Sequence, residues 1–317
     1  MMKEGIGESK KKEGRKAMYE SAMLIYNGNA GQKEVDKILA QIIGPLSLSI
    51  PNLTLLQTQK PGDAEHFCRQ HGEEVDLIIA LGGDGTVHEC INGIAPLDRR
   101  PAFSIIPAGT CNDLARSLQI PLNIKQAAAL ITEGGIEAGI DIVQSNERYF
   151  GNFWGTGLIA QASENIDQDS KGMFGRFSYY VSALKTFSDP SRFSFEIEYD
   201  GQMLKDEAVM LLILNGRSIG ATEFPLSSIQ LNDGLVDIMV VKEAGFPLFK
   251  EIISAKTTVD WEQDKETIDH FQASSIAVSI PSSQLIDLDG EHYDGDTFRI
   301  NVLKEHIRVV KPKVVTE

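Results

Sequence analysis

Residues 75–86 have the sequence VDLIIALGGDGT, an apolar run that leads into a glycine-rich turn. An apolar run of this length is typical of a strand buried on both faces of a parallel sheet. A helix is predicted to follow over Val87–Ile94. Glycines between a strand and a helix let backbone N–H groups approach an anion, and the helix N-terminus adds its positive dipole end. This stretch therefore predicts an anion site at the carboxyl end of a parallel strand.

Asp84 lies inside this turn and sets its chemistry. A carboxylate is unsuited to direct contact with phosphate, but Mg²⁺ takes carboxylates beside substrate phosphates. The turn is not a Walker A loop, because no Gly-Lys-Ser/Thr follows the glycines. The structural alternative is a strand–turn–helix corner whose glycines only relieve strain.

Strands and helices alternate on both sides of this turn. The predicted strands are Ala22–Tyr26, Leu53–Thr58, Val75–Leu81 and Ala102–Ile106, and the predicted helices lie around 35–43 and at Asp63–Gln70, Val87–Ile94 and Asn112–Leu118. Such alternation predicts a doubly wound α/β nucleotide-binding domain, which we place at residues 22–144.

The second half of the chain has a different pattern. Polar and apolar residues alternate over Phe193–Tyr199, and Asp200-Gly201 is a two-residue hairpin signal. Further strand-like runs are Val209–Leu214, Leu235–Val241, Ser275–Ile280, Leu285–Leu288 and Phe298–Val302, with helices predicted at Phe174–Phe187 and Phe246–Trp261. Residues 145–302 are therefore predicted to form a β-rich domain.

A second loop, Pro107–Asp113, also follows a predicted strand and opens a helix. Thr110 can reach a phosphate or a ribose, whereas Asp113 could be no more than a residue of the first helical turn. Considered beside Asp84, however, the loop favours a nucleotide crevice shared by the two turns.

Composition limits the possible functions. The chain has 317 residues, which suggests two domains, and its net charge of −15 disfavours a nucleic-acid partner. Residues 1–21 form a polar, lysine-rich leader that we expect to be disordered, and no apolar run approaches the length of a membrane span. Three widely spaced cysteines suit reduced thiols. Together these features predict a cytoplasmic protein.

The two loops and the residues around them resemble the diacylglycerol kinase catalytic-domain superfamily, closest to the soluble bacterial diacylglycerol kinases and the YegS-like lipid kinases. The resemblance runs from about Met23 to Val310. It implies a β-sandwich after the α/β domain, as in NAD kinases, with residues 303–317 returning to the first domain.

The resemblance also implies a nucleotide site. Asn27–Gly31 stands where the family has an Asn-Pro-x-x-Gly loop, and here Gly28 replaces the proline. His88 is a second departure, because many members have asparagine at this position. The implied ATP contacts are Asn27, Gly28, Asn29, Ala30, Gly31, Thr58, Gly82, Gly83, Asp84, Gly85, Thr86, Val87, His88 and Thr110.

Two magnesium positions are implied by the same resemblance. Asp84, Asp113 and Asp141 would hold a water–Mg²⁺ network near the phosphates. Gln230, Asp233 and Leu235 would hold a structural Mg²⁺ through the Asp233 carboxylate and two backbone carbonyls. Asn232 stands where an acidic residue is common, and a plain hairpin turn is the alternative for this segment.

The tripeptide Asp289-Gly290-Glu291 completes the predicted site. A kinase that acts on a hydroxyl benefits from a carboxylate within hydrogen-bond reach of that hydroxyl. A polar turn would explain the tripeptide alone, but the family keeps its catalytic base here. We favour Glu291 as the base, with Asp289 as its orienting partner or as the alternative base.

The resemblance implies an ATP- and Mg²⁺-dependent lipid kinase of phospholipid biosynthesis, in the simplest case one that converts diacylglycerol to phosphatidate. We expect transient contact with the membrane surface, and family resemblance suggests a homodimer. Apolar residues from Phe174 to Leu184 could line the lipid site, although core packing explains them equally well. The alternatives are a kinase of a soluble acceptor on the same superfold, such as an NAD kinase, and a catalytically silent nucleotide- or lipid-sensing module.

Overall fold

The computed structural model describes residues 18–28, 32–164, 191–243 and 267–313. Its first part alternates strands and helices as predicted. The elements are β1 (Ser21–Asn27), α1 (Gln32–Ser49), β2 (Asn52–Thr58), α2 (Asp63–His71), β3 (Leu77–Gly82), α3 (Asp84–Ile94), β4 (Ala102–Pro107), α4 (Asp113–Ser117) and α5 (Ile124–Ala129).

The four strands are parallel and lie in the order β2-β1-β3-β4. The chain steps from β1 to β2 in one direction and then crosses back to β3 on the other side. Because such crossovers are right-handed, the reversal puts helices on both faces of the sheet. The strand order reverses between β1 and β3, and crevices for ligands form at that point outside the carboxyl ends of the strands.

The second part is β-rich. Its elements are β5 (Ile136–Ser145), β6 (Arg148–Phe150), β7 (Phe153–Gly157), α6 (Leu158–Glu164), β8 (Phe193–Tyr199), β9 (Gln202–Ala208), β10 (Met210–Leu214), β11 (Ser218–Ile219), β12 (Thr222–Glu223), β13 (Val236–Val241), β14 (Ile268–Ala273), β15 (Ser275–Leu288) and β16 (Glu291–Lys311). Its strand pairings are antiparallel, and β8 and β9 form the hairpin predicted at Asp200-Gly201.

Strand β16 joins the two parts. It pairs with β15 and β5, and Val309 pairs in parallel with Phe103 of β4. The segment Ile307–Val310, predicted to return to the first domain, is therefore the end of this strand. One apolar core surrounds the parallel strands and includes Ile307, and a second core lies among the antiparallel strands.

Some element boundaries differ from those predicted. Helix α3 begins at Asp84 and not at Val87, so Asp84 and Thr86 belong to its first turn. The two strands predicted on either side of Pro281 are one strand, β15, whose pairing shifts register between Ser279 and Gln284. Such a bulge absorbs a proline without ending the strand. The leader up to residue 17 and the helices predicted at 174–187 and 246–261 lie outside the described residues.

Candidate active site

The carboxyl ends of the parallel strands surround a cleft of about 350 Å³. Seven of the predicted nucleotide contacts line it: Asn27, Thr58, Gly83, Asp84, Gly85, Thr86 and Thr110. Asn29, Ala30 and Gly31 lie outside the described residues. The remaining four do not line the cleft. Gly28 lies against the Gln57 side chain and Gly82 is the last residue of β3, while Val87 and His88 are buried behind the loop. The sequence therefore predicted the location of the cleft and half of its lining residues.

Two glycines allow the loops of this cleft to touch. A Cβ atom on Gly83 would lie 3.0 Å from Gly109 Cα, and one on Gly109 would fall on Gly83 Cα. Neither residue has a positive φ. The glycines are therefore required by the close approach of two backbones and not by local strain, which was the structural alternative.

Asp84 links the two loops. Its Oδ2 accepts a hydrogen bond from the Asn112 backbone N–H at 2.9 Å, and its Oδ1 accepts one from the Asp113 N–H at 2.6 Å. These N–H groups open helix α4, whose first turn would otherwise leave them without acceptors. The contact fixes the second loop to the start of α3.

Asp113 is buried directly behind Asp84. Its carboxylate accepts hydrogen bonds from the Ser218 hydroxyl at 2.8 Å and from the N–H groups of Gly220 and Ala221 at 2.6 and 2.7 Å. Burial, together with the neighbouring Asp84 carboxylate, raises the pKa of Asp113 to about 6.

The pair Asp84 and Asp113 suits a divalent cation. Ligand atoms of Asp84, Asp113 and Cys111 all lie within 4.8 Å of one another. Mg²⁺ prefers the carboxylate oxygens to the soft thiol, so Cys111 is a neighbour of this pair and not a magnesium ligand. A cation here would also offset the repulsion that raises the Asp113 pKa.

Asp141 does not lie with this pair. Its buried carboxylate accepts hydrogen bonds from Gly234 N–H at 2.6 Å and Glu305 N–H at 2.7 Å. Glu305 has a φ of 48° and lies where β16 shifts register against β5. Asp141 therefore holds a β-bulge and a turn together, and burial raises its pKa.

The segment predicted to hold structural Mg²⁺ is a turn beside Asp141. The Asp233 Oδ1 accepts the Leu235 N–H at 2.9 Å, and Gln230 is exposed. Lys304 donates from Nζ to the Asp233 carbonyl oxygen at 3.2 Å. The Asp233 carboxylate suits a hard cation, but a lysine ammonium already lies against this turn.

Asp289 is held firmly by backbone groups. Its carboxylate accepts the N–H groups of Gly151, Asn152 and Phe153 at 2.8, 3.0 and 2.8 Å. Asp289 and Gly290 both have positive φ and form the turn between β15 and β16. Because three donors converge on it, the Asp289 carboxylate anchors the turn to β7.

Glu291 follows this turn as the first residue of β16 and has different surroundings. A Cβ atom on Gly85 would lie 3.1 Å from Glu291 Oε1, which places the carboxylate against the loop Gly82–Thr86. In the described part of the chain, the Glu291 carboxylate has no hydrogen-bond or ion-pair partner, and the residue is half-buried. Its lone pairs are therefore available to a ligand.

His88 contacts the start of β16 through Tyr293. Its Nε2 lies 3.1 Å from Tyr293 Oη and 3.2 Å from Asn92 Nδ2. The Tyr149 N–H bonds Asn92 Oδ1 and so orients the amide, whose Nδ2 donates to the carbonyl oxygens of His88 and Tyr149 at 3.0 and 2.8 Å. Nδ1 of His88 faces Asp289 Oδ2 at 3.7 Å.

Several lining residues were not predicted from the sequence. Lys60 brings a cation to a cleft suited to phosphates, and Glu89 accepts the N–H groups of Gly62 and Ala64 at 2.9 and 3.0 Å, which caps α2. Gln59, Pro61, Ala64, Gly109 and Cys111 complete the lining. The position of Lys60 just after β2 was the available signal, since β2 ends at the same sheet edge as β1 and β3.

Two family models match the chain. Residues 21–144 match the diacylglycerol kinase catalytic domain, and residues 154–311 match the YegS C-terminal NAD kinase beta sandwich-like domain. The second match confirms the β-sandwich predicted for the second half.

Known proteins match over almost the whole chain. A protein named "Putative lipid kinase" from Staphylococcus epidermidis is 30% identical over 300 residues, which cover 93% of this chain and 97% of the relative. One of the same name from Staphylococcus aureus is 30% identical over 278 residues, 86% and 91% of the two chains.

A solved structure agrees with these matches. It is described as a "putative diacylglycerol kinase" from Bacillus anthracis, superposes with a TM-score of 0.85 and is 38% identical. The superposition covers 94% of this chain and 99% of that one. Within the described residues, no helix is long and apolar enough to cross a membrane.

Proposed function

The chain belongs to the diacylglycerol kinase family of lipid kinases, and on that premise we propose that it transfers the γ-phosphoryl group of ATP to a lipid hydroxyl. The simplest acceptor is diacylglycerol, which would give phosphatidate. The protein would act at the membrane surface in transient contact with it. The lipid kinase and diacylglycerol kinase names of its relatives and the residues that line the cleft support this proposal.

The observation that carries the proposal is the position of Glu291. Its carboxylate, which has no hydrogen-bond or ion-pair partner among the described residues, lies against Gly85 of the proposed phosphate loop, Gly82–Thr86. The γ-phosphate of a bound nucleotide and an acceptor hydroxyl would meet there. Asp289, which the sequence left open as the base, uses its oxygens to hold three backbone N–H groups. These contacts support Glu291 as the proposed base and Asp289 as a positioning residue.

The proposed transfer conserves atoms and charge. Glu291 takes the proton of the acceptor hydroxyl while the hydroxyl oxygen bonds to the γ-phosphorus. The bond from that phosphorus to the β–γ bridging oxygen breaks, and ADP leaves. Loop amides around Gly83–Thr86 and the Lys60 ammonium offset the phosphate charge.

Mg²⁺ would be held by Asp84 and Asp113, where it would neutralise charge on the phosphates. The Asp233 turn is proposed as a second, structural position. Asp141 would act there through the turn, since its carboxylate bonds Gly234 N–H next to Asp233.

Transfer of labelled phosphate from ATP to lipids in mixed micelles with Mg²⁺ tests the proposal. Diacylglycerol, monoacylglycerol, sphingosine, ceramide and phosphatidylglycerol would be compared with NAD and sugar phosphates. We expect labelled phosphatidate, which Glu291→Gln and Asp84→Asn abolish. The matched control is Glu196→Gln, which removes a partly exposed carboxylate whose ion-pair partner among the described residues is Lys205.

Each other outcome has a defined meaning. Label on NAD or a sugar phosphate, and on no lipid, would replace the lipid acceptor by a soluble one. Nucleotide binding without transfer to any acceptor would favour the silent sensing module. A transfer rate in Glu291→Gln close to that of the wild type would remove Glu291 as the base.

A further inference from the structure

A second cleft of about 750 Å³ lies on the other side of Asp113 from the nucleotide cleft. It is bounded by the end of α4, by Gly139 and Ile140 of β5, by the β11–β12 hairpin, by the segment 229–232 and by Lys311. Its volume is in the range of small-molecule sites. No residue of this cleft takes part in the proposed phosphoryl transfer.

The cleft is basic although the chain is acidic. Three cationic side chains line it, Arg116, Arg217 and Lys311, against one carboxylate, Glu223, in a chain whose net charge is −15. In the described ranges, no carboxylate lies within ion-pair distance of the Arg116 guanidinium or the Lys311 ammonium. These charges are therefore left available to a ligand.

Backbone carbonyls orient both guanidinium groups. Arg217 donates from Nε to Ile229 O at 2.9 Å and from Nη2 to Ser227 O at 3.4 Å. Arg116 donates from Nε to Cys111 O at 2.8 Å, and its two terminal nitrogens make no hydrogen bond to the residues that the structure describes. The contact of Arg217 with Glu223 is long, at 3.8 Å between partly exposed groups, and contributes little. The terminal nitrogens of Arg116 can bind phosphate through paired hydrogen bonds, and Arg217 can add its Nη1, since its Nε and Nη2 already donate to carbonyls.

The wall of this cleft also contacts Asp113, which is one of the two proposed Mg²⁺ ligands. The Ser218 hydroxyl and the N–H of Ala221 both line or border the cleft and donate to Asp113. Arg217 immediately precedes this hairpin. A ligand that fixes Arg217 would therefore stabilise the hairpin that positions Asp113 behind the nucleotide cleft.

We propose that the second cleft binds a phosphate-bearing anion, and that its occupancy strengthens binding of Mg²⁺-nucleotide in the first cleft. The anion could be the headgroup of an acidic phospholipid or a free phosphate compound, because both present the same oxygens to Arg116, Arg217 and Lys311. Coupling of this kind is reciprocal, so nucleotide must tighten anion binding by the same factor.

Calorimetric titration of the full chain with inorganic phosphate tests the site. The first cleft is filled beforehand with Mg²⁺ and a non-hydrolysable ATP analogue, so that phosphate cannot bind among the nucleotide contacts. We expect the double variant Arg116→Gln/Arg217→Gln to weaken phosphate binding at least tenfold, and Lys311→Gln to weaken it less. The control is Arg192→Gln. Arg192 is exposed, directly precedes β8 and pairs with Glu207 and Glu243, so this variant should bind phosphate as the wild type does.

Sedimentation with vesicles separates the two sources of phosphate. Vesicles of phosphatidylcholine with phosphatidylglycerol are compared with phosphatidylcholine alone. Binding that needs phosphatidylglycerol and is lost in the arginine variants supports a lipid headgroup. Phosphate binding without such vesicle binding supports a free phosphate compound.

Two results would overturn the proposal. Equal affinity of wild type and both cleft variants for phosphate and vesicles would remove the site. A nucleotide affinity that phosphate leaves unchanged would remove the coupling. Neither readout depends on turnover, so these results are independent of the acceptor assigned above.

Discussion

At the scale of single residues, two carboxylates two positions apart have different surroundings. Asp289 is saturated by backbone donors, while Glu291 faces the phosphate loop without a partner among the described residues. The sequence Asp-Gly-Glu could not separate their roles, because the separation arises from the β15–β16 turn and from the N–H groups of a distant strand. The role of Asp141 could not be predicted either, because no local sequence pattern marks it as the hydrogen-bond acceptor at a β-bulge.

Replacing each carboxylate by its amide should therefore have different effects. Glu291→Gln should lower kcat by about 10²–10⁴ and leave nucleotide affinity and stability nearly unchanged. Asp289→Asn should lower the free energy of unfolding by about 1–3 kcal/mol, because it weakens three partly buried hydrogen bonds. Steady-state kinetics and urea unfolding of the two variants check this. A larger loss of kcat in Asp289→Asn, with stability intact, would exchange the two roles.

The raised pKa of Asp113 predicts a dependence of magnesium binding on pH. With a pKa of about 6, Asp113 must release a proton before it can bind Mg²⁺, so affinity should fall as pH drops below 6, by up to about tenfold per unit. The stability of the metal-free protein should change with pH in the opposite direction. A carboxyl pKa raised on folding contributes stability at low pH that is lost as pH rises through about 6.

Thermal unfolding with and without Mg²⁺ between pH 4.5 and 8 would check both signs. In the wild type, the increase in thermal midpoint that Mg²⁺ produces should become smaller below pH 6. In Asp113→Asn the effect of Mg²⁺ should be weak at every pH. Equal stabilisation by Mg²⁺ at pH 5 and pH 7.5 would contradict a metal site at Asp113.

At the scale of elements, alternation of strands and helices was predictable because buried parallel strands are uniformly apolar. The four strands from Ser21 to Pro107 and the helices between them follow from that pattern. Boundaries set by distant contacts were not predictable. Helix α3 starts at Asp84, whose carboxylate bonds Asn112 and Asp113, and β15 continues through Pro281 because it pairs with β16 on both sides of a bulge.

At the same scale, the contact between Gly83 and Gly109 should be disrupted by a single added methyl group. In Gly109→Ala the new methyl group would fall on Gly83 Cα, so the two loops must separate. We expect nucleotide affinity to fall at least tenfold, as measured by calorimetry.

The matched control for this change is Gly44→Ala in α1, where an added methyl group meets no atom within 4 Å other than those of its two chain neighbours. Pro45 follows directly and disfavours a helical residue with a Cβ before it, so we expect no gain in stability. The residue is exposed and does not line the cleft, so this variant should bind nucleotide normally. Nucleotide affinity that is retained in Gly109→Ala would mean that the loops tolerate separation.

The turn around Asp233 gives a prediction about the second metal position. If it holds Mg²⁺, then Asp233→Asn should lower the stabilisation that Mg²⁺ gives to an Asp84→Asn protein, in which the first position is already weakened. Lys304→Ala should strengthen Mg²⁺ binding at the turn, because an ammonium now lies 3.2 Å from the Asp233 carbonyl oxygen. Thermal midpoints against Mg²⁺ concentration provide the measurement. If neither Asp233→Asn nor Lys304→Ala changes how the thermal midpoint depends on Mg²⁺ concentration, then the turn is a hairpin that holds no metal.

At the scale of the whole molecule, the two halves share one strand. Strand β16 runs from Glu291 in the proposed active site to Lys311 and pairs with β15, β5 and β4 on the way. It contributes Ile300 to the core among the antiparallel strands and Ile307 to the core around the parallel strands. Complete unfolding of either half would therefore break part of the hydrogen bonding and packing of this strand.

Shared β16 should make unfolding a single cooperative transition, although a chain of this length often unfolds in steps. Ile286→Ala in one core and Ile307→Ala in the other should each cost about 2–5 kcal/mol. Because both cores lose order together, each variant should shift the whole urea transition, whether followed by tryptophan fluorescence or by far-ultraviolet circular dichroism. Two transitions, with each variant moving only one, would show that the halves unfold separately and that β16 detaches from one of them first.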